Sequence, residues 1–90
     1  MEVQVFGKQN CAKCATTKHK LEHFVAKLGV AERVQVRFFD MDTVDGMAEG
    51  AYRDVFDIPT TIIAEGDRDV VRWAGIIPDS TDLKEYLGTA

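Results

Sequence analysis

The 90-residue chain reads as an α/β protein with a four-stranded mixed sheet and helices on both faces. Three observations lead there. Short β-branched runs alternate with stretches whose apolar residues recur every three or four positions, which is strand followed by helix. The order of these segments is β-α-β-α-β-β-α. The last two strands are separated only by a Gly-Asp turn signal, so they form an antiparallel hairpin. Strands joined through a helix are expected to be parallel, with a right-handed crossover.

Each element has its own signal. Residues 2–6 (EVQVF) alternate and form the first strand, and Gly7, Lys8, Gln9 and Asn10 form a loop. Asn10 is a good N-cap, and a helix follows with Cys14, Thr17, Leu21, Phe24, Val25 and Leu28 on one buried stripe. Gly29 ends it. Residues 34–40 form the second strand, with Val34, Val36 and Phe38 on one face. Asp42 or Thr43 caps a second helix over roughly 44–56, its stripe being Val44, Ala48, Ala51 or Tyr52, and Val55. Gly46 and Gly50 weaken that helix by ~1 kcal/mol each relative to alanine. Residues 60–64 form the third strand, 65–68 the turn, and 69–74 the fourth strand. Gly75 to Pro78 is a loop. Asp79 or Ser80 caps a last helix carrying Leu83, Tyr86 and Leu87, and Gly88 stops it.

Composition bounds the function. The chain is 46% hydrophobic and 29% charged, enough apolar surface for one core, so residues 1–90 are read as a single domain. The net charge of −4 argues against nucleic acid. That charge is uneven: residues 1–38 carry net +4 and residues 39–90 net −8. A solvated helix face accounts for the basic half; a field that favours thiolate and draws acidic partners is the sharper reading. No signal sequence or membrane span is expected, which makes the reducing cytoplasm the default location. A close cysteine pair in that compartment points to catalysis or metal rather than to a structural bridge.

Cys11 and Cys14 are the only cysteines. A bridge across two intervening residues closes almost no loop and cannot staple a fold. Two cysteines also exclude a four-cysteine zinc or iron–sulfur site within one chain. Their position is informative, because the Cys11-Ala12-Lys13-Cys14 motif lies where a strand ends and a helix begins. There the unpaired N–H groups and the helix dipole favour thiolate at Cys11, and Lys13 with Lys8 adds positive charge. Cys14, one turn deeper on the apolar stripe, should be buried and keep its proton longer. An exposed nucleophile and a buried resolving thiol are what thiol–disulfide exchange requires.

On these residues the sequence resembles the thioredoxin/glutaredoxin superfamily along nearly its whole length. Val5 to Cys14 looks like a glutaredoxin-type opening. Ile58-Pro59-Thr60 looks like the cis-proline motif, and Gly75 follows the fourth strand where the family has a glycine beside the active site. The resemblance implies a thioredoxin-like fold and a dithiol oxidoreductase needing no cofactor. It also implies a cis Ile58–Pro59 bond with Ile58 backbone groups pairing to an extended substrate, and Lys8 as a substrate-carboxylate contact or a solvated loop residue. The implied partners are disulfide-containing proteins and a thiol or flavoprotein reductase, met by a monomer. The residues also depart from the family. Asn10 replaces the usual tryptophan, Ala12-Lys13 fill the motif, and Val5 stands where thioredoxins bury an acid. The Gly-Gly-acidic segment of glutaredoxins is replaced by Gly75-Ile76-Ile77-Pro78-Asp79-Ser80, which weighs against glutathione.

Other readings carry less. The pair could serve a copper or zinc carrier, but copper chaperones usually place Met where Gln9 stands, and zinc would need further ligands. An adaptor docking to a larger redox enzyme with little turnover is a third reading. His19 and His23 are spaced i, i+4, a metal-compatible spacing, yet off the apolar stripe and without a third ligand they read as surface residues. Trp73 reads as strand packing, and Asp40 and Asp42 as loop and cap residues.

Overall fold

A computed structural model describes residues 1–88. The elements are β1 (Glu2–Gly7), α1 (Ala12–Lys27), β2 (Gln35–Asp40), α2 (Val44–Tyr52), β3 (Thr60–Glu65), β4 (Arg68–Ala74) and α3 (Ser80–Gly88). The strands form one mixed sheet in the order β2-β1-β3-β4. The expected α/β class and element order are those observed.

Alternation along β1 divides the core in two. Val3 and Val5 point to one face, where they pack with Leu21, Phe24 and Val25 of α1, Ile63 and Trp73 of the hairpin, and Leu83 and Leu87 of α3. Gln4 and Phe6 point to the other face, where Phe6 packs with Ile62, Ala64 and Val55 beside Phe39 and Met41. Phe6 and Leu21 are completely buried; each such side chain contributes about 2–3 kcal/mol by leaving water. Lys20 ties the α1 surface to the loop before α3 by donating to the Pro78 carbonyl at 2.7 Å.

The ends of the helices show where local chemistry decides. Gly29 follows α1 at φ +68°. Its N–H donates to Ala26 O, and the Val30 N–H to Val25 O, each at 3.1 Å. These two bonds are the Schellman closure that a glycine at this position permits. At the start of α1 the expected cap is wrong by one residue. Cys11, with extended backbone, is the N-cap, and its sulfur accepts from the Cys14 N–H. Asn10 lies outside in the turn.

Helix α2 departs further from expectation. It is nine residues long and capped by Thr43, whose hydroxyl accepts from the Gly46 N–H at 3.0 Å. Of the expected stripe only Val55 is buried, beyond the helix end, while Val44 and Tyr52 are 79% and 70% exposed and Ala48 and Ala51 also face solvent. The buried residues within α2 are Gly46 and Gly50. A Cβ on Gly46 would overlap the Asp40 carbonyl, and one on Gly50 would lie 2.6 Å from Met41 Cε. The glycines let α2 lie against the end of β2, so their lower helix propensity is offset by close approach. The helix ends early because Asp54 takes φ +55°, with the Asp54 and Val55 N–H groups donating to Ala51 O and Gly50 O. This repeats the closure after Gly29 without a glycine. Asp54→Gly is therefore expected to stabilise the protein by up to ~1 kcal/mol, since left-handed backbone disfavours residues with a Cβ; a denaturant midpoint shifted upward at constant m checks this.

The direction of β3 is the other correction. The β1–β2 pair is parallel, as a helix-linked pair should be. β3 also follows a helix, yet it runs antiparallel to β1. Nine helical residues span about 13 Å, shorter than a six-residue strand at about 20 Å. α2 alone does not carry the chain back along the sheet, and the stretch 53–59 turns at Asp54 instead of running to the far end. The chain leaves β2 at Asp40, beside Gly7, and re-enters at Thr60, beside Phe6, at the same end of the sheet. The hairpin closes as expected, with Gly66 at φ +60° in its two-residue turn. α3 includes Gly88, the last residue described, so a stop there concerns residues outside the described part.

Candidate active site

Four segments meet at the end of the sheet where β1 and β2 finish and β3 begins. The first is the Cys11–Cys14 pair, joined as a disulfide with Cα atoms 5.1 Å apart. Cys11 is partly exposed, while Cys14 is 0% exposed. The Cys14 N–H donates to Cys11 Sγ at 3.1 Å. A first-turn donor of α1 is thus aimed at the outer sulfur, where it would meet a thiolate once the bond opens.

Gly7 seats this pair. A Cβ there would lie 2.7 Å from both Cβ and Sγ of Cys14. Gly7 is the last residue of β1, not part of the loop the sequence predicts. The signal was present: a glycine ending a β-branched strand often marks close approach by another segment.

The second and third segments bring Ile58, Pro59, Thr60 and Gly75 to this end. The Ile58–Pro59 bond is cis. Pro59 is buried, and its carbonyl accepts from the Gly75 N–H at 2.9 Å. Gly75 sits at φ +74°, with its Cα face against Asp57. Thr60 is buried, and its hydroxyl donates to the Asp57 carbonyl at 2.6 Å, so it fixes the Pro59 loop. Ile58 is partly exposed and makes no backbone hydrogen bond among the described residues. The loop is further held from behind. Arg72 donates to the carbonyls of Arg53 and Asp54, and Arg53 pairs with Asp69 at 2.6 Å.

The fourth segment carries the charges. Lys13 is exposed in the first turn of α1. Lys8 pairs with Asp42 at 3.5 Å, an exposed contact worth at most ~1 kcal/mol. Asp40 accepts from the Asp42 N–H at 2.9 Å, so both acids organise the turn into α2, and Thr43 rather than Asp42 is the cap. Lys8, Gln9, Lys18, His19 and Phe38 line a cavity of about 180 Å³ next to the start of α1. A larger concavity of about 540 Å³ between β2 and α2 touches neither cysteine.

The remaining candidates sit elsewhere. His19 and His23 are exposed on α1, with His23 edge-on to Phe24. Among the described residues no three His, Cys, Asp or Glu side chains gather as metal ligands. Trp73 is buried in the main core, its indole edge-on to Tyr86. No described helix is long and apolar enough to cross a membrane.

A redox-type cysteine pair at a helix N-terminus, facing a cis-proline loop across the end of a mixed sheet, defines the thioredoxin-fold class. The chain belongs to the thioredoxin-domain family, whose model matches residues 1–88. Among solved structures it is similar to thioredoxin 1 from Thermosipho africanus, with TM-score 0.76 and 20% identity over 99% of this chain and 97% of that one. It is also similar to Fasciola hepatica thioredoxin, with TM-score 0.74 and 23% identity over 98% and 78% of the two chains. Thioredoxin O2 from Arabidopsis thaliana, in the oxidised state, gives TM-score 0.77 and 18% identity over 98% and 72%. No curated protein matches. Family and cysteine pair together make this chain a thiol–disulfide oxidoreductase in the general sense.

Proposed function

We propose that the protein is a dithiol reductase of protein disulfides in which Cys11 attacks and Cys14 resolves. The observation that carries this reading is the asymmetry of the pair: Cys11 is partly exposed and takes a helix N–H on its sulfur, while Cys14 is buried against Gly7. The reduced protein's Cys11 thiolate attacks one sulfur of a substrate disulfide. A mixed disulfide forms, and the other substrate sulfur leaves as thiolate and takes a proton from water. Cys14 then loses its proton to water and attacks Cys11 Sγ. This releases the second substrate thiolate, which is protonated in turn. Two electrons have passed to the substrate, and Cys11–Cys14 is a disulfide again.

The unpaired backbone of Ile58 offers a docking edge for an extended segment flanking the substrate disulfide, with Pro59 and Gly75 shaping the floor and Thr60 holding the loop. Lys8 and Lys13 bias the surface toward acidic partners. The donor that restores the dithiol is a protein thiol or a flavoprotein reductase, with glutathione as the competing donor. No cofactor is required, and the protein works as a monomer in the cytoplasm. The test is Cys14→Ser, which leaves the first attack intact and removes the second. It is expected to accumulate a stable Cys11 mixed disulfide whose partner is read by mass spectrometry. Protein partners support the proposal; exclusive capture of glutathione overturns the choice of partner, and no adduct overturns the mechanism.

A further inference from the structure

Thr61 is 0% exposed, and its hydroxyl has no hydrogen-bond partner. An orphaned buried hydroxyl costs about 1–3 kcal/mol in lost hydration, so its presence in the core calls for an explanation. Packing supplies none, because valine would fill the same strand position without a polar atom.

Its location does. Thr61 lies directly across from Val5 in the β1–β3 pair, and so on the sheet face that α1 covers. Two residues along β1 on that face is Gly7, the seat of Cys14 Sγ. Thr61 is the diagonal neighbour of Gly7, and such positions lie about 7–8 Å apart at Cα and less at Cβ. The hydroxyl is therefore a buried polar group that β3 places on the α1 face, one diagonal position from the seat of the inner sulfur. Val5, its partner across the strands, has nothing to offer a sulfur but apolar surface. Thr17, the other buried hydroxyl on α1, already donates to the Lys13 carbonyl at 2.7 Å. In the disulfide, Cys14 Sγ has no proton and no charge, and is a poor partner. Opening the bond changes that, because the freed sulfur becomes a thiol and then a thiolate, a strong acceptor.

We infer that Thr61 is a positioning residue for Cys14, unpaired in the disulfide form and donating its hydroxyl hydrogen to Cys14 Sγ when the pair is reduced. This rests on the assignment of Cys14 as resolving thiol. The hydroxyl keeps its own proton throughout; the proton Cys14 loses goes to water. The bond is made to the attacking thiolate and lost as the disulfide closes, so Thr61 favours the reduced form and eases deprotonation of the inner thiol.

The experiment uses the whole reduced chain with Ellman's reagent in stopped flow. The first release of thionitrobenzoate is bimolecular and reports Cys11; the second is unimolecular and reports the attack of Cys14. In Thr61→Val the second release is expected to be about tenfold slower at pH 7, its pH profile moved up by about one unit, equivalent to a tenfold change in the fraction of thiolate. The first release is unchanged, and Thr61→Ser restores the wild-type profile. Equilibration with dithiothreitol should be unchanged at pH 7, where Cys14 keeps its proton, and should shift toward the protein disulfide as pH rises past the Cys14 thiol pKa, approaching tenfold, about 30 mV. The disulfide form of Thr61→Val should melt no lower than wild type, since no bond is lost there. A Thr61→Val profile that superimposes on wild type overturns the inference. A wild-type protein that shows no unimolecular second release overturns the resolving role of Cys14, and this inference with it.

Discussion

Cys11→Ser is expected to reduce the rate of insulin reduction to that of the reagent thiol alone, a loss of at least about a thousandfold. The hydroxyl of serine is not ionised near neutral pH, and alkoxide is not what the site can stabilise. One N–H at 3.1 Å and the end of a helix dipole lower the pKa of a thiol by a few units at most, from about 8.5. They cannot do so for an alcohol. The fold should survive, because Cys11 is partly exposed and serine is itself a favoured N-cap. Thermal unfolding of the variant should therefore match that of the reduced wild type within a few degrees. Turbidity of the insulin B chain, with dithiothreitol as donor, measures the rate. Full activity in a folded Cys11→Ser protein would reverse the roles given to the two cysteines.

Gly46→Ala is expected to destabilise the protein by about 3 kcal/mol, at the upper end of what overpacking does. Helix propensity alone gives the opposite sign, a gain of about 1 kcal/mol. The two arguments differ because an added Cβ would overlap the Asp40 main-chain carbonyl. A side chain could rotate away; a carbonyl at the end of β2 cannot move without displacing the strand or lifting α2 from it. For a domain of this size the loss corresponds to a fall in Tm of roughly 15 °C. A melting curve that rises instead would mean that α2 is not held against Asp40 in this way.

Both cases bear on what the sequence makes legible. Strand alternation, the α1 stripe and the Gly66 turn are local signals, and they led to the right class and order of elements. The cysteine pair was readable because a strand-to-helix junction is itself a local pattern. What escaped depends on distant partners. Gly46 and Gly50 look like poor helix residues until the end of β2 is placed against them. Asp54 takes a left-handed conformation with no glycine to announce it, so α2 looks longer than it is. The direction of β3 depends on where the stretch after α2 delivers the chain, which no local pattern carries. Thr61 looks like any β-branched strand residue, and only its neighbours across the sheet make its hydroxyl conspicuous. Cys11 as cap is a local departure: asparagine is a favoured N-cap and sulfur a weak acceptor, so the pattern points to Asn10 although Cys11 does the capping.

The antiparallel return of β3 has a consequence for how the working molecule comes into being. Residues 1–44 already contain the cysteines, the helix that bears them and the strand pair beneath it. The opposite wall of the site arrives only with residues 58–60, and its Gly75 brace later still. During synthesis the cysteine pair therefore exists before the Pro59 loop at the same end of the sheet. Assembly waits for β3 to insert between β1 and β4, a contact between segments far apart in the chain and so among the slower kinds to form. A nascent chain halted before Pro59 would carry the cysteine pair without the cis-proline loop and its Gly75 brace.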